Sequence, residues 1–134
     1  MKLFYGTKLV LAEPQEKQGK EGYAVKYNDG YTSWSPKDVF DAAYQSLNAL
    51  SFGHALMVLQ DGKKVARSGW NGKGMFLYHV PANSYPAQTE AAKGVFGDTV
   101  PYVAYIAMKT AQGNVVPWLA SQTDVLANDW QLVD

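Results

Sequence analysis

Lys64-Val65-Ala66-Arg67-Ser68-Gly69-Trp70-Asn71-Gly72-Lys73-Gly74-Met75-Phe76-Leu77-Tyr78-His79-Val80 decides the fold. Apolar and aromatic residues fill its second end, and three glycines punctuate its middle. It reads as a short strand over 64–68, a glycine turn over 69–74 and a strong strand over 75–80 that stops at Pro81. Strands joined by so short a turn run antiparallel, because a parallel pair needs a crossover of a dozen or more residues. No alternating strand–helix pattern elsewhere supports a doubly wound parallel sheet. The expected class is α+β: an antiparallel β-sheet with short helices.

Outward from this core, Ser51 is placed to cap a helix running to about Gln60, with Phe52, Ala55, Leu56 and Leu59 on one face and Asp61-Gly62 as its stop. Downstream, residues 82–100 read as a long polar loop carrying Asn83, Ser84, Pro86, Gly94, Gly97 and Asp98. Tyr102 to Met108 follows as a strand, Ala111-Gln112-Gly113-Asn114 as a turn, and Val115-Val116-Pro117-Trp118 as the returning strand. Ser121-Gln122-Thr123-Asp124 opens a short helical turn in the Ser-x-x-Asp form, and Trp130 to Val133 closes as an edge strand.

Residues 1–47 read as a separate small module of strand, loop, β-hairpin and helix. Leu3 to Ala12 is rich in apolar residues and reads as the strand, 13–22 is a polar loop, and Tyr23 to Tyr27 turns through Asn28-Asp29-Gly30 into Tyr31 to Trp34. Ser35 is expected as the helix N-cap, Pro36 as its first residue and Asp38 as the partner of a capping box, with Val39, Phe40, Ala43, Tyr44 and Leu47 on the apolar face. So few residues need outside support to be stable. The expected organisation is this hairpin-plus-helix module over 1–47 and a second domain over 48–134.

Composition narrows the function. The 134 residues are 47% apolar, so the chain buries a core, and no apolar run reaches the roughly 18 residues of a membrane span. There is no cysteine, which removes disulfides, thiolate metal sites and a cysteine nucleophile. Twelve Lys and Arg balance twelve Asp and Glu, and each sign contributes six within residues 1–50, so nothing suggests a duplex nucleic-acid face. One small anionic ligand needs only one or two cations and some backbone N–H groups.

No catalytic set rises above background. His54 and His79 are not spaced as metal ligands on one element, and Ser68-Gly69-Trp70 is not a hydrolase elbow. Asp124 and Asp129 lie five apart, which does not put both on one helix face. Two stretches do suit a base-bearing anion. In 67–74, Gly69, Gly72 and Gly74 let backbone approach a ligand, Trp70 offers a stacking face, Asn71 offers a donor and an acceptor, and Arg67 or Lys73 offers a cation. In 121–124, Ser121, Gln122, Thr123 and Asp124 gather at a helix start. Each also has a plain reading, as a tight hairpin and as a helix cap.

Three stretches in register, 64–75, Tyr105-Ile106-Ala107-Met108-Lys109-Thr110, and Val116 to Asp124 with Asp129-Trp130, resemble the phage Thoeris anti-defence family, second type. The resemblance covers about residues 50–134 and leaves 1–47 as an addition. It implies a non-enzymatic protein without cofactor or metal that acts in the cytoplasm of the infected bacterial host. It implies homo-oligomers, commonly tetramers, with pockets at subunit interfaces. It implies sequestration of glycocyclic ADP-ribose, with cyclic oligonucleotide signals as further ligands of some relatives. Carried onto this chain, the expected ligand contacts are Arg67, Ser68, Gly69, Trp70, Asn71, Lys73, Phe76, Gln122, Thr123 and Asp124. The competing readings are a phosphodiesterase-type enzyme that cleaves the same signal, with Asp124, Asp129 or a histidine as base, and a non-catalytic protein-interaction module. On the leading reading, replacing Asn71 or Asp124 by Ala weakens binding without unfolding the chain.

Overall fold

The computed structural model describes residues 1–70 and 73–134. The chain forms two compact units, Met1–Gln45 and Ser46–Asp134. Its class is α+β, with antiparallel sheets and four short helices among the described residues.

In the first unit, β1 (Leu11–Pro14), β2 (Gly22–Lys26) and β3 (Thr32–Pro36) form a sheet in that order, followed by α1 (Lys37–Ala43). The Asp-Gly turn forms as its sequence requires. The Asp29 carboxylate accepts from the Tyr31 amide at 2.9 Å, and Gly30 takes the left-handed φ of +88°. Tyr23 stacks on Phe40 at 4.2 Å, and Phe40 on Tyr44 at 4.8 Å, which fastens α1 to the sheet.

Two expectations for this unit are corrected. Residues 3–10 carry no strand, and β1 instead runs into the polar stretch, since the hairpin opposite it reaches only as far as Leu11. The N-cap of α1 is Pro36, with no side-chain cap. The β2–β3 ladder extends to Gly22 opposite Pro36, which keeps Ser35 in the strand, with its hydroxyl donating to the Pro36 carbonyl at 3.3 Å.

Gly22 is required by close approach. A Cβ there would sit 2.3 Å from the Ser35 carbonyl oxygen and 2.4 Å from the Trp34 ring. That ring is itself fixed, its Nε1–H donating to the Gln15 carbonyl at 2.9 Å. Gly22→Ala is expected to lower stability by about 1–3 kcal/mol through forced displacement of strand and ring. A denaturant titration followed by tryptophan fluorescence checks this, and an unchanged midpoint would mean that Trp34 swings away at no cost.

The second unit is built on a five-stranded sheet, with order β10-β4-β5-β8-β9. The strands are β4 (Lys64–Arg67), β5 (Phe76–Val80), β8 (Tyr105–Lys109), β9 (Val115–Pro117) and β10 (Trp130–Val133), all antiparallel to their neighbours. The helix α2 (Phe52–Gln60) begins at Ser51 as expected, whose hydroxyl accepts from the His54 amide at 3.3 Å. Ala55 and Leu59 of α2 meet Leu50, Val65, Leu77 and Trp130 in one buried cluster.

The region 82–100 is not a loop. It holds β6 (Asn83–Pro86) paired with β7 (Thr99–Tyr102), and between them α3 (Glu90–Phe96), capped by the Thr89 hydroxyl accepting from the Ala92 amide at 3.1 Å. Tyr102 therefore belongs to β7, and the strand expected over 102–108 begins again at Tyr105. None of these three elements buries a residue, so none shows the apolar periodicity that marks an element in sequence.

Candidate functional site

Arg67 ends β4 and points its guanidinium at two carboxylates. Its Nε–H donates to Asp129 Oδ1 at 3.0 Å, and its NH1 donates to Asp124 Oδ1 at 2.9 Å. Asp129 is held further by Ser68, whose hydroxyl donates to Oδ2 at 3.2 Å and whose amide donates to the Asp129 carbonyl at 3.1 Å. Asp124 lies in the first turn of α4 (Gln122–Leu126). There it forms the capping box that Ser-x-x-Asp implies: Ser121 Oγ accepts from the Asp124 amide, and Asp124 Oδ2 accepts from the Ser121 amide, both at 3.1 Å. The arginine thus ties the end of β4, the start of α4 and the residue before β10 into one cluster.

Aromatic rings back this cluster. Trp130 meets Phe52 at 5.4 Å, the edge of Trp70 at 5.6 Å and Trp118 at 5.9 Å. Its indole N–H donates to the Asp124 carbonyl at 2.9 Å, so the buried ring also fixes α4.

The electrostatics follow from the bonds. The Asp129 and Asp124 carboxylates raise the Arg67 pKa. Burial pushes the Asp124 carboxyl up, but the Ser121 amide and hydroxyl and the Arg67 guanidinium outweigh it and hold it below the usual range. Arg67 holds the Asp129 carboxyl low against its own burial. Both groups are therefore more acidic folded than unfolded. Their stabilisation is complete above the unfolded value, about 3.9, and disappears as pH falls through the lowered folded values. The melting temperature is expected to hold from pH 7 to about 5 and to fall below about 4, with a shallower fall in Asp129→Asn. Melting by circular dichroism across that range checks it. Equal falls in both proteins would place the acid sensitivity elsewhere.

The structure brings Arg67, Ser68, Gly69 and Trp70 together with Asp124. Gly69 lies against Asp129, where an added Cβ would be 3.6 Å from Oδ2. Thr123 is exposed, its hydroxyl 2.9 Å from that of Ser121, and Gln122 is exposed at the first position of α4. Lys73 is exposed as well. Asn71 and Gly72 lie outside the described residues. Phe76 belongs to a different grouping: the ammonium groups of Lys64 and Lys109 sit 5.0 and 5.8 Å from its ring, and Tyr78 is 6.0 Å away.

Sequence reasoning missed the part played by Asp129. Its spacing from Asp124 excluded a shared helix face, yet Asp129 lies beyond the helix end, where the chain turns back toward Arg67. The available signal was slight: two carboxylates and the one arginine of the chain, 57 and 62 positions away. Asp124 completes a cap and an ion pair, so Asp124→Ala also removes contacts that hold α4. Among the described residues, no three His, Cys, Asp or Glu side chains gather as metal ligands, and no helix is long and apolar enough to cross a membrane.

Residues 46–134 define a small α+β domain that presents a glycine turn and a helix start around one ion-paired arginine. A family model described as the Thoeris anti-defense 2-like domain matches residues 50–133, and the chain belongs to that family, with an anti-defence role. Over 84 residues it is 42% identical to the protein named Thoeris anti-defense 2 of Bacillus phage SP01, a match covering 63% of this chain and 94% of that protein. Residues 1–49 lie outside the family match.

Proposed function

We propose that the chain counters defence by binding a cyclic nucleotide signal and holding it intact, as a stoichiometric sponge in the cytoplasm of the infected bacterial host. Glycocyclic ADP-ribose is the leading ligand, and cyclic oligonucleotide signals are the next class. The observation that carries this reading is the Arg67 ion pair. It places the 67–70 turn beside the start of α4, so the two stretches that suit a base-bearing anion stand together. The proposed contacts are Arg67, Ser68, Gly69, Trp70, Asn71, Lys73, Gln122, Thr123 and Asp124, with Phe76 further along the sheet. A homo-oligomer, by resemblance a tetramer, would enclose at a subunit interface what one small chain leaves open.

The carboxylates argue for holding rather than cutting. A general base at neutral pH needs a pKa near 7, whereas Asp124 and Asp129 are driven the other way and share a guanidinium. Nanomolar capture requires about −12 kcal/mol, within reach of several charge-assisted hydrogen bonds and one or two ring stacks.

Calorimetric titration with glycocyclic ADP-ribose, followed by heating the complex and analysing what is released, tests this. Tight stoichiometric binding with the intact molecule recovered supports the sponge. An altered product turns the protein into an enzyme, and an absence of heat removes this ligand and moves the search to cyclic dinucleotides and trinucleotides.

A further inference from the structure

Residues 3–11 run Leu3-Phe4-Tyr5-Gly6-Thr7-Lys8-Leu9-Val10-Leu11. Leu3, Tyr5, Leu9 and Leu11 occupy alternate positions, the period of a strand with one apolar face. Yet residues 1–10 have no regular structure, and Leu3 and Tyr5 stand 101% and 107% exposed. The reason is geometric. β1 pairs with β2 in the register Leu11 opposite Lys26, and the hairpin turns just beyond, with Tyr27 and Tyr31 closing it. The residues before about Leu9 overhang the hairpin and have no strand of their own unit to meet.

β1 is also a sheet edge, so its outer side is unpaired. The Gln15 amide donates inward to the Gly22 carbonyl at 2.9 Å, so odd-numbered amides face β2 and even-numbered amides face outward. Pro14 takes an outward position, where its missing N–H costs the sheet no bond. Among the described residues, Val25 is the one buried apolar side chain of the Met1–Gln45 unit, which therefore needs apolar area from outside itself.

We infer that residues 3–11 form one half of an intermolecular β-ladder, antiparallel to the same residues of a second copy about a twofold axis at Thr7. The segment is complementary to itself in this register. Leu3 lies opposite Leu11, Tyr5 opposite Leu9, Phe4 opposite Val10 and Thr7 opposite its own equivalent. Lys8 meets Gly6 and Lys2 meets Ala12, so no like charges stand directly opposed. The even-numbered outward amides make the hydrogen bonds. The odd, apolar positions then fall in the closer, non-hydrogen-bonded pairs, where side chains pack best. A twofold interface demands such self-complementarity, and a strand meant for a different protein does not. The ladder joins the N-terminal units.

The chain has no cysteine, so Thr7→Cys introduces a single thiol. In the full-length protein, mild oxidation at low concentration is expected to convert most Thr7→Cys to a covalent dimer, while Lys63→Cys on an exposed turn stays monomeric on the same denaturing gel. Tyr5→Cys mixed with Leu9→Cys is expected to cross-link more than either alone. A Tyr5→Lys, Leu9→Lys double variant, altered only at exposed positions, is expected to hold fewer copies per particle by light scattering. Cross-linking at position 7 no greater than at 63, or an unchanged particle mass in the double variant, overturns the inference. A strand of another protein captured at this edge while the purified chain fails to cross-link overturns it too.

Discussion

Trp130→Ala is expected to cost the Ser46–Asp134 unit about 4 kcal/mol, a large share of what holds a domain of this size together. The ring is fully buried at the head of β10. It meets Phe52, Trp70 and Trp118, so its loss opens a cavity at the point where their elements converge. The Asp124 carbonyl also loses the indole N–H that it accepts from. The backbone of Trp130 exchanges two hydrogen bonds with Leu50, and these survive the substitution but lose their packed surroundings. About 4 kcal/mol corresponds to a fall in melting temperature of well over 10 °C for a unit this size. Trp130→Phe is expected to cost about half as much, since a smaller ring keeps some contact without the hydrogen bond. Thermal unfolding of the three proteins checks the order. A loss below about 1 kcal/mol in Trp130→Ala would mean that the surrounding rings collapse into the space, and that the 67–70 turn does not depend on them.

What was legible in the sequence, and what was not, divides along burial. The strand pair around 64–80, α2 with its Ser51 cap, the turn at 111–114 and α4 with its capping box were legible, because apolar period, turn residues and caps agree there. The β6–α3–β7 excursion was not, because an element that buries nothing carries no apolar stripe. Residues 3–10 failed the other way: their alternation is that of a strand, but a strand needs a neighbour, and the hairpin stops short of supplying one. At the candidate site, the glycine turn and the helix start were visible as separate motifs. Their junction was not, because it is made by a side chain reaching from Arg67 across to residues 57 and 62 positions away.

That junction carries the second large effect. Arg67→Ala is expected to destabilise the same unit by about 3 kcal/mol, from two charge-assisted hydrogen bonds lost at about 1.5–3 kcal/mol each, reduced because the pairs are partly open to water. Arg67→Lys is expected to recover only part of this, since one ammonium lacks the planar fork that serves Asp124 and Asp129 together. The distinguishing readout is the steepness of the pH dependence. With the guanidinium present, both carboxylates are depressed and the protein loses stability as pH falls below about 4. Without it, Asp124 keeps the Ser121 amide and hydroxyl and Asp129 keeps the Ser68 hydroxyl, so the carboxylates lose the part of the depression that the guanidinium supplied. The fall in stability below about pH 4 is therefore expected to be shallower in Arg67→Ala than in the parent, and the difference between the two to narrow as pH falls. A truncation that removed packing alone would lower stability equally at every pH. Parallel pH profiles would therefore assign Arg67 to packing, and a shallower acid limb would assign it to holding two carboxylates, and with them the two binding stretches, in place.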